Sequence, residues 1–99
     1  MKHLLYTPQE IARTLADRHK KLRLSKKWKR TTLAQRSGVS IASLIRFEQE
    51  GKISLESFLK LLNALGRLDD VEKLLVAPSA TSIDELEKQT IQTSKRGSV

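Results

Sequence analysis

Apolar residues return at helical spacing in five stretches of the chain, and residues that start or stop helices bound each stretch. Thr7-Pro8-Gln9-Glu10 reads as an N-cap, a proline at the first helical position and the acid of a capping box. Ile11, Leu15 and Leu22, with Ala12 and Ala16 beside them, then repeat to about Leu24. A second helix is predicted from about Arg30 to Ser37 and a third from Ile41 to about Glu50. Leu33 and Ala34 give the second an apolar edge, and Ala34 is small enough for another helix to cross closely. Gly38 supplies the positive φ that ends a helix, Val39 can plug the corner, and Ser40 can cap the third helix. Leu44, Phe47 and the stem of Glu48 share one face of that helix. A short helix, a tight turn and a second helix make a helix-turn-helix, with Trp28 sealing the joint between helices one and two.

Gly51-Lys52-Ile53 breaks the pattern. Ser54 can cap a fourth helix, Leu55 to Leu65, whose wide apolar face (Leu55, Phe58, Leu59, Leu61, Leu62, Leu65) marks it as the most buried of the set. Gly66 stops it, and Asp69-Asp70-Val71-Glu72 reads as a second capping box opening a short fifth helix through Leu75. After Pro78 large apolar residues become scarce and Ser and Thr abundant. The chain therefore divides into an all-α, five-helix domain containing the helix-turn-helix, over residues 1–76, and a flexible tail over residues 77–99. Within the tail, Ser82-Ile83-Asp84-Glu85 can cap one or two turns carrying Ile83, Leu86 and Ile91, and that segment can order on a partner.

Charge sharpens this picture. Nineteen Lys and Arg against eleven Asp and Glu give +8. Ten of the cations (Arg18, Lys20, Lys21, Arg23, Lys26, Lys27, Lys29, Arg30, Arg36 and Arg46) fall between Arg18 and Phe47, a stretch without a single acid. A basic run is usually a solvated face. Here it overlaps the helix-turn-helix, so both signals point to a polyanion. Anionic lipid fits less well, since the basic stretch lacks the broad apolar face of an interfacial helix. No apolar run has the length of a membrane span, no secretory signal pattern opens the chain, and with no cysteine there is neither a disulfide framework nor a thiolate zinc site. A soluble cytoplasmic protein is expected.

Wheel positions assign roles on helix three. With Leu44 and Phe47 inward, Ala42, Arg46 and Gln49 point outward, Ser43 and Ile45 lie on the flanks, and Ile41 sits at the N-terminal edge, the end that meets base edges in helix-turn-helix docking. Ile41, Ala42, Ser43 and Arg46 are the candidate base-reading residues. Arg46 suits guanine O6 and N7, with a phosphate contact or a surface salt bridge as the plainer reading. Ile41 and Ala42 can pack on thymine methyl groups, and Ser43 can bond a base or a phosphate. Ile45 is read as half-buried against Ile41. Lys26, Lys27, Lys29, Arg30 and Arg36 are the candidate phosphate-binding residues, which position without specifying sequence. No catalytic constellation, metal site or cofactor is expected. His3 and His19 are far apart, His19 is read as a helix-surface residue or part of the basic face, and helix capping accounts for Asp69, Asp70 and Glu72.

Leu33-Ala34, Gly38-Val39-Ser40, Phe47-Glu48 and Gly51 resemble the Cro/C1-type (XRE, lambda-repressor-like) helix-turn-helix family over about Leu22 to Leu65. The resemblance implies double-stranded operator DNA as partner, a homodimer, and a structural pair of Arg23 with Glu48. Two departures stand out. Lys29-Arg30 replaces the usual Thr or Ser followed by Gln, which removes a cap and a brace, and Glu50 looks like one extra residue before Gly51. The stretch Arg46-Phe47-Glu48-Gln49-Glu50-Gly51-Lys52-Ile53-Ser54-Leu55, followed by Ala64-Leu65-Gly66 and Leu68-Asp69-Asp70, is similar to HipB-type antitoxins encoded beside HipA-type serine/threonine kinase toxins. That likeness implies an autorepressor that also binds a kinase toxin, in some relatives with a third small operon protein. A stand-alone or phage-type regulator, and an antitoxin whose protein binding is primary and DNA binding auxiliary, are the alternatives.

Overall fold

The computed structural model describes residues 6–79, and over that span the chain forms five helices and no strand. The tail segment Ser82–Ile91 and His3 lie outside the described residues. Helix α1 (Pro8–Ser25) opens with a complete capping box. The Glu10 amide donates to Thr7 Oγ1 at 3.1 Å, and the Thr7 amide donates to Glu10 Oε1 at 2.8 Å. Helix α2 (Arg30–Ser37) begins without any side-chain cap, because Lys29 at that position offers no acceptor. Helix α3 (Ile41–Glu50) is capped by Ser40 and α4 (Leu55–Ala64) by Ser54, each hydroxyl accepting from the amide three residues on at 3.1 Å.

Gly38 and Gly51, with φ of 78° and 72°, end α2 and α3. Gly51 has a second reason to be glycine. A Cβ there would stand 3.2 Å from the backbone of Ala12 and Arg13, so α1 can cross the end of α3 only if no side chain intervenes.

Leu33, Leu44 and Leu61 are wholly buried, joined by Ala16, Ala34, Val39, Phe47 and Leu65, with Trp28, Ile53 and Phe58 packed on the outside. Each fully buried leucine contributes roughly 1.5–3 kcal/mol. Helix α1 packs on α3, and α2 packs on both α3 and α4, which holds α3 with one face inward. The Phe47 ring ties the layers together, edge-on to His19 at 5.1 Å and to Phe58 at 5.6 Å.

Four sequence expectations need correction. The buried stripe of α1 runs through Ala16, His19 and Arg23; of the predicted repeat Ala16 is buried and Leu22 packs on the core, but Ile11 and Leu15 stay exposed, so the stripe is rotated part-way from the apolar face. His19, expected on the surface, is only 2% exposed, with its ring against Phe47 and its Nδ1 3.3 Å from Glu48. Leu55 is 71% exposed and α4 is less buried than its composition suggests, its buried residues being Leu61 and Leu62. The second capping box does not form: Leu68 already has helical backbone angles, no side chain caps α5 (Asp69–Glu72), and the Asp70 carboxylate instead pairs with Arg67 at 3.0 Å. That helix ends at Glu72 rather than Leu75.

Candidate nucleic-acid interface

The inner face of α3 is fixed by a buried charge cluster. Glu48 Oε2 accepts from Arg23 Nε at 2.9 Å and Oε1 from Arg23 Nη2 at 3.1 Å, a two-pronged pair from α1. Arg30 Nε, from α2, donates to the same Oε1 at 2.9 Å. His19 Nδ1 approaches Oε2 at 3.3 Å without hydrogen-bond alignment. One carboxylate therefore ties α3 to both α1 and α2. Burial alone would raise the Glu48 pKa, but the hydrogen bonds from Arg23 and Arg30 and the surrounding positive charge outweigh it and hold the carboxyl below its ordinary value. Burial lowers the His19 pKa, and Arg23 adds to the effect against the pull of Glu48, so its imidazole is held neutral more firmly than in water. Arg23 also donates to the Trp28 carbonyl at 2.8 Å, which fixes the turn between α1 and α2.

The outer face of α3 is open. Ile41 is 42% exposed and Ala42 is exposed beside it. The Arg46 side chain is 62% exposed, and its ion-pair partner among the described residues is Glu50, at 4.0 Å. Ser43 is half-buried and accepts from the Ser40 hydroxyl at 2.9 Å, so part of its hydrogen-bonding capacity belongs to the cap. Ile45 is half-buried.

The cations assigned to phosphate separate into three settings. Lys26 and Arg36 are exposed and flank the Trp28 ring, with Lys26 Nζ 5.4 Å and the Arg36 guanidinium carbon 4.6 Å from its centre. Trp28 thus holds two cations on the surface as well as closing the joint. Lys27 and Lys29 are exposed in the turn, Lys27 with a left-handed backbone, φ 59°. Arg30 is half-buried and committed through Nε to Glu48.

Among the described residues no helix is long and apolar enough to cross a membrane, and no group of three or more potential ligands is placed to hold a metal ion. The sequence matches the helix-turn-helix family over residues 20–73, which takes in α2, α3, α4 and α5 and the end of α1. The chain belongs to the Cro/C1-type helix-turn-helix family. No curated protein and no solved structure shows a significant match.

Membership of this helix-turn-helix family makes the chain a DNA-binding regulator. Sequence reasoning passed over Lys52. It is exposed beside the end of α3, 4.0 Å from Glu50, and it lines a shallow recess with Ser43, Arg46 and Ser54. The signal was present, because Lys52 opens the connection between α3 and the Ser54 cap.

Proposed function

We propose that the chain is a sequence-specific repressor of its own operon, serving as antitoxin and autoregulator beside a HipA-like serine/threonine kinase toxin. Ile41 and Ala42 pack on thymine methyl groups, Ser43 bonds a base or a phosphate, and Arg46 reads guanine through O6 and N7. Lys26, Lys27, Lys29, Arg36 and Lys52 hold phosphates, and Arg30 adds its remaining guanidinium nitrogens from the start of α2. The observation that carries this reading is the free outer face of α3, where Arg46 has only a distant surface acid for company. A homodimer in the cytoplasm would match two-fold operators whose half-site centres lie about 34 Å apart, one helical turn. The kinase partner, with or without a third small operon protein, is supported by the likeness of Arg46–Leu55 and Ala64–Gly66 to HipB-type antitoxins.

Gel-shift and footprinting on the chain's own promoter, with and without the product of the adjacent gene, test both parts. Protection of a two-fold site, altered by a neighbouring kinase, is expected. Protection without any response to the neighbour leaves a stand-alone regulator, and no protected site removes the repressor. Arg46→Ala should lose about 1–3 kcal/mol of discrimination between operator and scrambled DNA. Lys26→Ala should weaken both alike and lower the salt slope by about 1.

A further inference from the structure

A groove of about 610 Å³ runs between α1, α4 and α5 on a side of the molecule to which neither α2 nor α3 contributes. Its walls include Leu15 and Leu22 of α1, Phe58 of α4, Val71 of α5 and Leu74 just after it. Arg18, Lys21 and Arg67 line it as well, and the single acid among the described lining residues, Asp70, is already paired with Arg67 at 3.0 Å. The groove is therefore apolar within a positive rim. We propose that the chain's own segment Ser82-Ile83-Asp84-Glu85-Leu86-Glu87 docks in it.

The segment has the complementary chemistry. Ile83 and Leu86 are spaced three apart, the interval that brings two side chains to one side when a segment turns helical on docking, and Asp84, Glu85 and Glu87 supply three negative charges for the rim. Reach is no obstacle. Leu74 is itself part of the wall, and the nine steps from Leu74 to Ile83 extend to roughly 30 Å. Tethering on so short a connection gives an effective concentration on the order of millimolar, so weak contacts suffice. A second copy laid groove to groove would instead oppose Arg18, Lys21 and Arg67 to their own images, an arrangement that like charges disfavour. Because no α2 or α3 residue lines the groove, the docked segment leaves Ile41, Ala42 and Arg46 uncovered.

The chain has no cysteine, so Gln89→Cys accepts a single spin label in the full-length protein. Docking predicts loss of amide peak intensity at Arg18, Lys21 and Val71 with Ala42 and Arg46 spared, and recovery of those peaks when Ile83→Ser and Leu86→Ser are added. Uniform weak broadening over the whole domain, or broadening that survives the double substitution, overturns the proposal. So does broadening of the groove residues in a mixture of spin-labelled chains and separate isotope-labelled chains, which would assign the groove to a second molecule.

Discussion

On the inner side of α3 the Glu48 carboxylate, 1% exposed, draws in Arg23, Arg30 and His19 from two other helices. Two residues earlier, Arg46 stands 62% exposed, with one acid at 4.0 Å. Both sides of the helix are charged. They differ in whether the charges satisfy each other. Inside, every full charge has an opposite partner at hydrogen-bond distance, and the product is orientation: the helix is held at a fixed attitude to α1 and α2. Outside, the cations are left with weak partners or aromatic rings, and the product is a positive field open to a polyanion.

The sharpest way to break this division is to remove one charge from each side. Glu48→Ala strands Arg23 in the interior without a carboxylate and should cost about 3–5 kcal/mol in urea unfolding. Arg46→Ala should stay within about 0.5 kcal/mol of the parent. Equal losses from the two variants would show that the faces do not divide the work. A second contrast uses the glycines that end α2 and α3. Gly38→Ala meets no atom within 4 Å and pays only for its backbone, whereas Gly51→Ala also drives a Cβ to 3.2 Å from α1. Gly51→Ala should therefore be the more destabilising by about 1–3 kcal/mol, an overpacking penalty that Gly38→Ala lacks.

Acid should weaken the fold over two pH ranges, both set by the inner cluster. The His19 pKa is lowered on folding, so the unfolded chain binds the proton that the folded one refuses, and stability falls as pH drops below the ordinary histidine value of 6.5. The Glu48 pKa is also lowered, so its contribution is complete above the ordinary 4.5 and is lost as pH falls below that value towards the folded pKa. Stability measured against pH should therefore decline first on the His19 step and then on the Glu48 step. His19→Leu should flatten the first decline and leave the second. A curve level from pH 7 to the onset of the Glu48 step would sink the assignment to His19.

How far these features were legible depended on how local their causes are. Thr7 with Glu10, Ser40, Ser54, Gly38 and Gly51 act within one turn of their own position, and helices α1 to α4 can be placed from them on sequence alone. His19 was misread because an apolar wheel sees only apolar residues, and the groups it packs against, Phe47 and Glu48, lie on another helix. Arg30 looked like a plain cation at a helix start for the same reason, and its bond to Glu48 is a tertiary fact. The acids after Leu68 looked like a cap, but Arg67 competes for Asp70 and the backbone is already helical. The outward set Ile41, Ala42 and Arg46 was easier, since the neighbouring Leu44 and Phe47 fix which way the helix faces.

The smallest expected effect separates stability from binding at a single residue. Helices α1 and α4 end in the same hydrogen-bonded turn. Trp28 donates to Arg23 O and Lys27 to Leu24 O at the end of α1, as Arg67 donates to Leu62 O and Gly66 to Asn63 O at the end of α4. In α4 the left-handed position is Gly66, φ 74°; in α1 it is Lys27, φ 59°, which carries a Cβ where glycine is preferred. Lys27→Gly should raise stability by up to about 1 kcal/mol, because that steric cost disappears while glycine's greater freedom in the unfolded chain offsets part of the gain. The same substitution deletes one outer cation, so the salt slope of DNA binding should fall by about 1. Folding improves while binding weakens, an outcome open only to a residue of the outer set. If Lys27→Gly instead left the salt slope unchanged, Lys27 would be a turn residue alone, and the positive surface would have to be redrawn around Lys26, Lys29 and Arg36.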